Sequence, residues 1–295
     1  EKEMSDENIY KINGVAYINE DNEFIQNEPR IRIKELDNIP WPDWQVFDIN
    51  KYLDNKISYG ASFGRNMPIM ASRGCPYKCT FCSNLKMWGI RYKLRSVDDV
   101  INEIKYYKNK YHIDGLQFTD LTAIVKKKWI LEFTDRLIKE KLNIKWSLPS
   151  GTRSEALDEE VLTGLEKSGL RYLVYAPESG SSRMLSLIKK KIVLSDMTES
   201  IKKALRLKIP LRTNFIIGFP GERRIDIYKT MVYAYYYSVL GVDEAPLYIF
   251  SPYPGTEIFN ELIENNQIIM DDNYFIALQS LNSDYSSFNP MTVNE

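Results

Sequence analysis

The sequence predicts an α/β protein built on parallel β-strands, and two observations predict it. Short apolar runs rich in strand-forming residues recur along the chain, at 68–72, 115–120, 144–151, 171–179, 211–219 and 244–253. Amphipathic helical patterns separate these runs, at 96–111, 126–141, 157–169, 195–208 and 224–241. Strands that alternate with helices pair in parallel through right-handed crossovers. An open doubly wound sheet and a barrel, complete or partial, both fit this pattern.

The helical patterns begin and end at residues that favour helix termini. In the first pattern Ser96 is the expected N-cap, and Asp98 and Asp99 stand in the first turn, where negative charge is favourable. One side of this helix is apolar, with Val97, Val100, Ile101 and Ile104. The third and fifth patterns end at Gly169 and Gly241, as helices often do. Each helix is therefore expected to pack one face on the sheet.

The chain divides into three regions by composition. Residues 1–66 contain short alternating strand-like pieces and then a Pro- and Trp-rich stretch, which predicts a linker or lead-in segment packed onto a larger body. Residues 67–264 form the predicted α/β core, and 265–295 are a C-terminal extension. The lysine runs at 125–129 and 188–192 are expected to be solvated faces or loop ends.

The composition indicates which binding partners and which cellular compartment to expect. Of the 295 residues, 44% are hydrophobic and 27% charged, as in an ordinary soluble protein. Lys plus Arg (39) nearly balance Asp plus Glu (40), so the chain has no excess of positive charge that would attract a nucleic acid. No apolar run is long enough to span a membrane, and no signal peptide is visible. Three cysteines do not form a disulfide framework, so a cytoplasmic protein is predicted.

All three cysteines of the chain lie within eight positions, as Cys75, Cys79 and Cys82, directly after the first strand. Thiolates are soft ligands that suit zinc or iron–sulfur. Structural zinc needs four ligands, and no second cysteine pair exists; the only histidine, His112, is more consistent with a surface or helix end. Three cysteines leave one iron of a cubane cluster open, and the open position would be the reactive site. The alternative from another class is a non-catalytic iron–sulfur or zinc module, which predicts a fourth protein ligand.

The segment CPYKCTFC resembles the CxxxCxΦC signature of the radical S-adenosylmethionine superfamily, with Phe81 as the aromatic residue before the last cysteine. The resemblance covers about residues 66–260 and implies a partial (β/α)6 TIM-type barrel. It also implies a [4Fe-4S] cluster held by the three cysteines, whose open iron chelates S-adenosylmethionine. Reductive cleavage would then give a 5′-deoxyadenosyl radical that abstracts hydrogen from an unactivated carbon.

The same resemblance implies cofactor contacts at the ends of the early strands. Thr119 and Asp120 end the second strand, where the family keeps a motif for the methionine amino group; the alternative is a helix cap. Ser150 and Arg153 follow the third strand. A fixed cation at Arg153 would pair with the methionine carboxylate, or would brace the loop through Glu155 or Glu178.

Further implied contacts stand on the later strands. Glu178 and Ser179, in the string APESGS, suit the ribose hydroxyls or the amino group. Ile216 would pack on the adenine and Gly218 would allow its close approach. The family's first glycine in that segment is Asn214 here, so the match is partial. Tyr248 on the sixth strand is a further candidate for the adenine edge.

The lead-in segment and the strings LPSGTRSEALD, APESGS and GFPGE resemble a subgroup with an N-terminal cobalamin-binding domain. That subgroup includes the anaerobic magnesium-protoporphyrin monomethyl ester cyclase and many carbon methyltransferases. The resemblance implies that cobalamin is bound by a domain upstream of Glu1, and the cobalt-ligating DxHxxG motif is absent from this chain. Methylation and radical cyclisation or oxidation both remain open.

The resemblance also suggests partners. The expected substrate is a small molecule or a lipid- or tetrapyrrole-like compound, and the expected electron donor is a flavodoxin or ferredoxin. A cobalamin-independent oxidoreductase or a methylthiotransferase is the alternative within the superfamily. A methylthiotransferase would need a second cluster and an RNA-binding appendage, and the single cysteine set and balanced charge disfavour it.

Overall fold

A computed structural model, which describes residues 10–279, contains one parallel sheet of six strands. The strands are β1 Asn66–Ile69, β2 Gly115–Phe118, β3 Lys145–Thr152, β4 Leu170–Glu178, β5 Leu211–Ile217 and β6 Leu247–Ile249. The crossover helices are α1 Val97–Tyr111, α2 Lys127–Lys139, α3 Glu159–Lys167, α4 Leu194–Arg206 and α5 Arg224–Leu240. The sheet and its crossovers thus follow the predicted alternation.

Smaller elements surround this core. Two short antiparallel pairs form from Ala16–Ile18 with Phe24–Gln26 and from Ser72–Arg73 with Lys93–Leu94. Short helices span Ile49–Asp54, Asn84–Met87, Ser182–Leu187, Glu257–Glu264 and Asp272–Gln279, and 3₁₀ turns span Leu36–Asn38, Trp44–Val46 and Ser154–Ala156. In the part of the chain that is described, no helix is both long and apolar enough to cross a membrane.

The strand order distinguishes between the two predicted architectures. Neighbours run β6–β5–β4–β3–β2–β1, so each strand pairs with the next one along the chain, always in parallel. A doubly wound sheet would reverse its order in the middle. Strands β1 and β6 do not pair with each other within residues 10–279. The fold is therefore the partial (β/α)6 barrel that the resemblance implied.

Four strands are shorter than their apolar runs, and the two at the edges of the sheet have a clear physical reason. The first strand ends at Ile69, because the chain then leaves the sheet and Ser72–Arg73 pairs with Lys93–Leu94 instead. The sixth run predicted 244–253, but β6 has only three residues. Pro246 and Pro252 bracket it, and proline has no backbone N–H for a ladder hydrogen bond.

The first crossover helix forms as its terminal residues predict. The Ser96 side chain accepts a hydrogen bond from the Asp99 amide, and the apolar side of α1 is buried. The helix ends at His112, which adopts the left-handed conformation and is exposed. This histidine is therefore a helix-end residue, as predicted.

The lead-in segment contacts α1 through specific hydrogen bonds. The indole of Trp41 donates to Asp99 Oδ1 at 3.0 Å, and that of Trp44 donates to Tyr107 OH at 2.8 Å. The predicted C-terminal extension is described only as far as residue 279; residues 280–295 lie outside the described part. The boundaries at 66 and 264 stay predictions.

A small aromatic cluster fixes the carboxyl ends of the strands to the cysteine loop. Phe219, which follows β5, lies 5.5 Å from Phe81 and 4.9 Å from Phe250, measured between ring centroids. Backbone hydrogen bonds join Thr80 to Ile188 and to Ile258, at 3.1 and 3.2 Å. The loop is thereby held against the following helices rather than exposed alone.

Candidate functional site

The cysteine loop folds back on itself directly after β1. Cys82 N donates to Cys79 O at 3.2 Å, and the Asn84 side-chain amide donates to Cys75 O at 3.1 Å. Gly74 adopts φ +88°, and a Cβ there would lie 2.3 Å from the carbonyl oxygen of Arg91. Only glycine allows this close approach.

The three thiols line one cavity of about 540 Å³ inside the barrel. Its other walls come from the inner faces of strands β3 to β6, from the segment after β2, and from Tyr59 and Gly60 of the lead-in segment. The charged residues that line it are Arg153, Glu178, Lys190 and Arg212. Sequence reasoning predicted the first two, whereas Lys190 and Arg212 were not singled out.

The thiols are partly desolvated. Cys79 is buried and Cys75 and Cys82 are half-buried. Burial raises the pKa of Cys79 and of Cys82, because it disfavours the thiolate. The hydroxyl of Thr122 lies 3.5 Å from Cys75 Sγ. A bound metal cation would offset the cost of burying the negative thiolates, because the thiolate is the form of cysteine that ligates metal.

The donor set fits an iron–sulfur cluster better than a single ion. Within residues 10–279, no three His, Cys, Asp or Glu side chains stand where they could hold one metal ion. A structural zinc needs four such ligands converging on one point. Here three soft donors are spread around a roomy cavity, which suits a polynuclear cluster with thiolates on separate irons.

A buried ion pair lies beside the cysteines. Lys190 Nζ donates to Glu178 Oε1 at 2.8 Å, and the two side chains are only 9% and 10% exposed. Burial alone would lower the pKa of Lys190, but the charges of Glu178 and Cys79 outweigh it, and the pKa is raised. Glu178 itself has φ +64° at the end of β4, a conformation that non-glycine residues rarely adopt. The run 188–192 was expected to be a solvated face or a loop end; it does lie in the loop after the helix Ser182–Leu187, but its middle lysine is buried.

Arg153 is braced rather than free. Its guanidinium stands 3.5 Å above the ring centroid of Tyr77, in the cysteine loop. It donates to Glu155 Oε1 at 2.6 Å and to the carbonyl oxygen of Lys191. The bracing through Glu155 that the sequence left open is therefore present, although Arg153 still lines the cavity.

Thr119 and Asp120 do not line this cavity. Thr119 Oγ1 donates to Ile69 O at 3.2 Å, and Thr119 lines a separate cavity beside the lead-in segment. The carboxylate of Asp120 is fully buried and accepts hydrogen bonds from Ala71 N, at 3.1 and 3.2 Å, and from the Ser72 hydroxyl. In this geometry Asp120 holds the chain that leads into the cysteine loop, which gives no support for direct contact with a cofactor.

Asp120 should make stability depend on pH. Burial raises its pKa from 3.8 to about 6. Between these two values the folded chain binds more protons than the unfolded chain, so this contribution to stability falls as the pH rises. We expect the metal-free chain to lose stability relative to Asp120→Asn as the pH rises through this range. Urea unfolding at several pH values measures this, with Asp21→Asn on the exposed surface as the control. Parallel pH profiles for all three proteins would contradict it.

Three other candidates lie next to the cavity without lining it. Ser150 sits between the lining residues Pro149 and Gly151. Ser179 is buried, and its hydroxyl is 3.1 Å from that of Thr230. Gly218 has φ +87°, and its amide donates to Glu222 Oε2 at 2.5 Å. By contrast, Phe81, Ile216 and Tyr248 line the cavity, and their predicted contact with a cofactor stays a prediction.

A polar group centred on Arg212, which sequence reasoning did not single out, forms the deeper end of the cavity. Arg212 and Asn214 alternate with buried residues along β5 and face inward with Ile216. Arg212 Nε donates to Asn214 Oδ1 at 2.9 Å, and Nη1 donates to Glu244 Oε2 at 2.8 Å. A third hydrogen bond runs from Arg212 to Tyr248 OH. Arg212 precedes Ile216 by four residues, or about 13 Å along a strand, so this group lies well below the cysteines.

Comparison with known proteins gives a family match for the region that contains this site. The model of the Radical SAM superfamily matches residues 69–234. An uncharacterized methyltransferase of Pyrococcus horikoshii is 32% identical over 257 residues, which cover 87% of this chain and 53% of that protein. The anaerobic magnesium-protoporphyrin IX monomethyl ester cyclase of Rubrivivax gelatinosus is 25% identical, over 92% of this chain and 47% of the cyclase. The chain thus spans about half the length of these relatives.

A solved structure supports the fold. The cobalamin-dependent S-adenosylmethionine radical enzyme OxsB, with aqua-cobalamin and S-adenosylmethionine bound, superposes with a TM-score of 0.68. The match covers 88% of this chain and 42% of that protein, at 16% sequence identity. At this identity the likeness concerns the fold alone.

Proposed function

Because the chain belongs to the radical SAM superfamily of enzymes, we propose that its cavity holds a [4Fe-4S] cluster on Cys75, Cys79 and Cys82 and binds S-adenosylmethionine beside it. A bound and reduced cluster would supply the electron for reductive cleavage of the cofactor, which would give methionine and a 5′-deoxyadenosyl radical. One observation carries the proposal: all three thiols line a single cavity that also contains a buried carboxylate–ammonium pair.

The ion pair offers a complementary site for the methionine end of the cofactor. The methionine moiety carries a carboxylate and an ammonium, and Lys190 and Glu178 present the opposite charges. Charge-assisted hydrogen bonds of this kind are about twice as strong as neutral ones. Lys190 is a better partner for the carboxylate than Arg153. Its ammonium donates one of three hydrogens to Glu178, whereas Glu155 and a backbone carbonyl engage two of the three guanidinium nitrogens of Arg153. Arg153 instead positions the cysteine loop through Tyr77.

Apolar walls suit the rest of the cofactor. Phe81 and Ile216 line the cavity between the thiols and its deeper end, where an adenine base would find apolar contact. Tyr248 is placed for the edge of that base or for the substrate. Of the remaining predicted contacts, Ser150, Ser179 and Gly218 would shape the loops behind these walls, and Thr119 and Asp120 would support β1.

The deeper end of the cavity is the proposed substrate site. Arg212 and Asn214 present hydrogen-bonding groups to the cavity, and Arg212 and its partner Glu244 keep 25% and 49% of their side-chain surface exposed. A bound substrate would have to cover these groups from water, because water allows side reactions that compete with the radical. A small polar substrate held by these residues would face the radical from the end of the cavity opposite the cysteines.

The second cofactor and the net reaction are proposals at the level of the longer protein. A methyltransferase and a cyclase among the relatives, each about twice as long as the matched region, support a cobalamin-dependent methylation or radical cyclisation. The cobalamin would bind in a domain beyond this chain. A flavodoxin or ferredoxin would donate the electron, in a reducing cytoplasm where an open iron–sulfur site survives.

An anaerobic assay tests the proposal. The protein is reconstituted with iron and sulfide, reduced with dithionite, and incubated with S-adenosylmethionine. We expect about four irons per chain and formation of 5′-deoxyadenosine and methionine. A chain that takes up one zinc instead, or that holds the cluster but does not bind S-adenosylmethionine, would contradict the proposal.

A further inference from the structure

The outer face of α5 is apolar and exposed. The inner face of this helix packs on the barrel through Asp226, Thr230, Ala234 and Tyr237, all buried. The opposite side carries five large side chains at 52%, 59%, 63%, 73% and 66% exposure: Ile225, Tyr228, Val232, Tyr235 and Val239. A surface helix normally presents polar residues on that side. We call these five residues the α5 seam.

The spacing of the seam is that of a helix–helix contact. Its residues follow one another at intervals of three, four, three and four, which is the a/d repeat of a coiled coil over two heptads. The inner residues Thr230 and Tyr237 occupy the f positions, opposite the seam. The repeat is therefore offset from the face that the barrel already uses, so barrel packing does not explain it.

The seam is large enough for a protein interface. Met231 and Tyr236 flank it at 46% and 38% exposure, so seven adjacent side chains, three of them tyrosines, contribute. A fully enclosed aromatic side chain buries on the order of 150–250 Å², and these three tyrosines keep 59%, 73% and 38% of their surface exposed. The exposed apolar area is therefore several hundred Å², at or above the largest patch of a typical monomer, about 300–600 Å². It approaches the roughly 800 Å² per partner of a standard interface.

We propose that the seam is a homodimer interface, in which α5 of one chain packs antiparallel against α5 of a second copy about a twofold axis. Such an isologous contact uses the same stripe on both chains, and an uncharged, near-symmetric stripe is complementary to itself. Ile225 and Val239 near the two ends are similar in size, as are Tyr228 and Tyr235.

Charge favours the antiparallel arrangement over the parallel one. Lys229 is exposed beside the seam in the first half of α5, and the second half from Met231 to Leu240 carries no charge. A parallel pair would place the two Lys229 ammonium groups at the same level. The antiparallel pair separates them and also opposes the two helix dipoles. This inference is independent of the proposed enzymatic function.

Sedimentation velocity of the full 295-residue chain tests the interface. We expect a reversible monomer–dimer equilibrium at micromolar concentrations. Val232→Glu would place two carboxylates in an apolar contact and should weaken dimerisation by more than about a hundredfold. Tyr235→Lys should act in the same direction. The control is Val193→Glu, which changes an equally exposed valine away from α5 and should leave the equilibrium unchanged.

Each remaining outcome overturns the proposal. A chain that stays monomeric at all concentrations would show that the seam is solvated or is covered by another occupant, such as residues 280–295. A dimer that both seam variants leave intact would place the interface elsewhere. Circular dichroism on every variant ensures that a lost dimer reflects the interface and not unfolding.

Discussion

Replacing Cys79 with alanine is expected to abolish both cluster binding and the formation of 5′-deoxyadenosine, while the barrel stays folded. Cys79 is the most buried of the three thiols, and its side chain lies at the cavity wall rather than in the main core. Loss of one of three ligands leaves two, which is too few to hold a cubane with one open iron. Iron content, the visible absorption of the cluster and the product assay measure the loss.

The matched control for this prediction is Lys78→Ala, in the same loop. Lys78 is exposed and lines no part of the cavity, so its truncation should leave iron content and product formation intact. Cys75→Ala and Cys82→Ala should reproduce the loss seen for Cys79→Ala. Retention of cofactor cleavage in any single cysteine variant would show that the ligand set is wrong.

The barrel could be predicted from the sequence because its signals are local and repeated. Ser96, the apolar side of α1 and Gly241 act through their immediate neighbours, and the structure places each as expected. The order of the strands could not be read from periodicity, because a doubly wound sheet has the same alternation. The sequence also did not predict that β6 has only three residues. The apolar residues near its flanking prolines that lie outside β6 look like strand residues but do not belong to the strand.

The sequence predicts those residues of the site that belong to one short motif. It does not predict those that come from segments far apart in the chain. The three cysteines can be recognised from their spacing alone. Lys190 cannot, because its run of three lysines resembles a solvated surface until the chain folds it against Glu178. Arg212 follows the inward alternation of β5, and only the fold shows that this face lines the cavity. Asp120 is the opposite case: its position at a strand end suggested a cofactor contact, which stays a prediction, and in the structure its carboxylate accepts a hydrogen bond from the backbone amide of Ala71.

The pair of Glu178 and Lys190 should determine both stability and cofactor affinity, and these two roles can be separated. Lys190→Met leaves a buried carboxylate without its partner, and Glu178→Gln leaves a buried ammonium. Either change should cost about 3–5 kcal/mol in the free energy of unfolding, as breaking a buried ion pair does. The double variant removes both charges and should recover most of that loss. Urea unfolding of the cluster-free chain gives these values.

Cofactor affinity should respond differently from stability. If Lys190 and Glu178 hold the methionine end of S-adenosylmethionine, the double variant loses both contacts and should bind it at least tenfold more weakly, or about 1.4 kcal/mol, although its stability is restored. Equilibrium dialysis with the reconstituted protein measures this affinity. The matched control is Lys189→Met, because Lys189 pairs with Glu257 on the surface at 2.6 Å with both side chains about half exposed. Such an exposed pair contributes less than about 1 kcal/mol. Unchanged affinity in the double variant would show that the buried pair has only a structural role. Arg153 would then be the remaining candidate to bind the carboxylate of the cofactor.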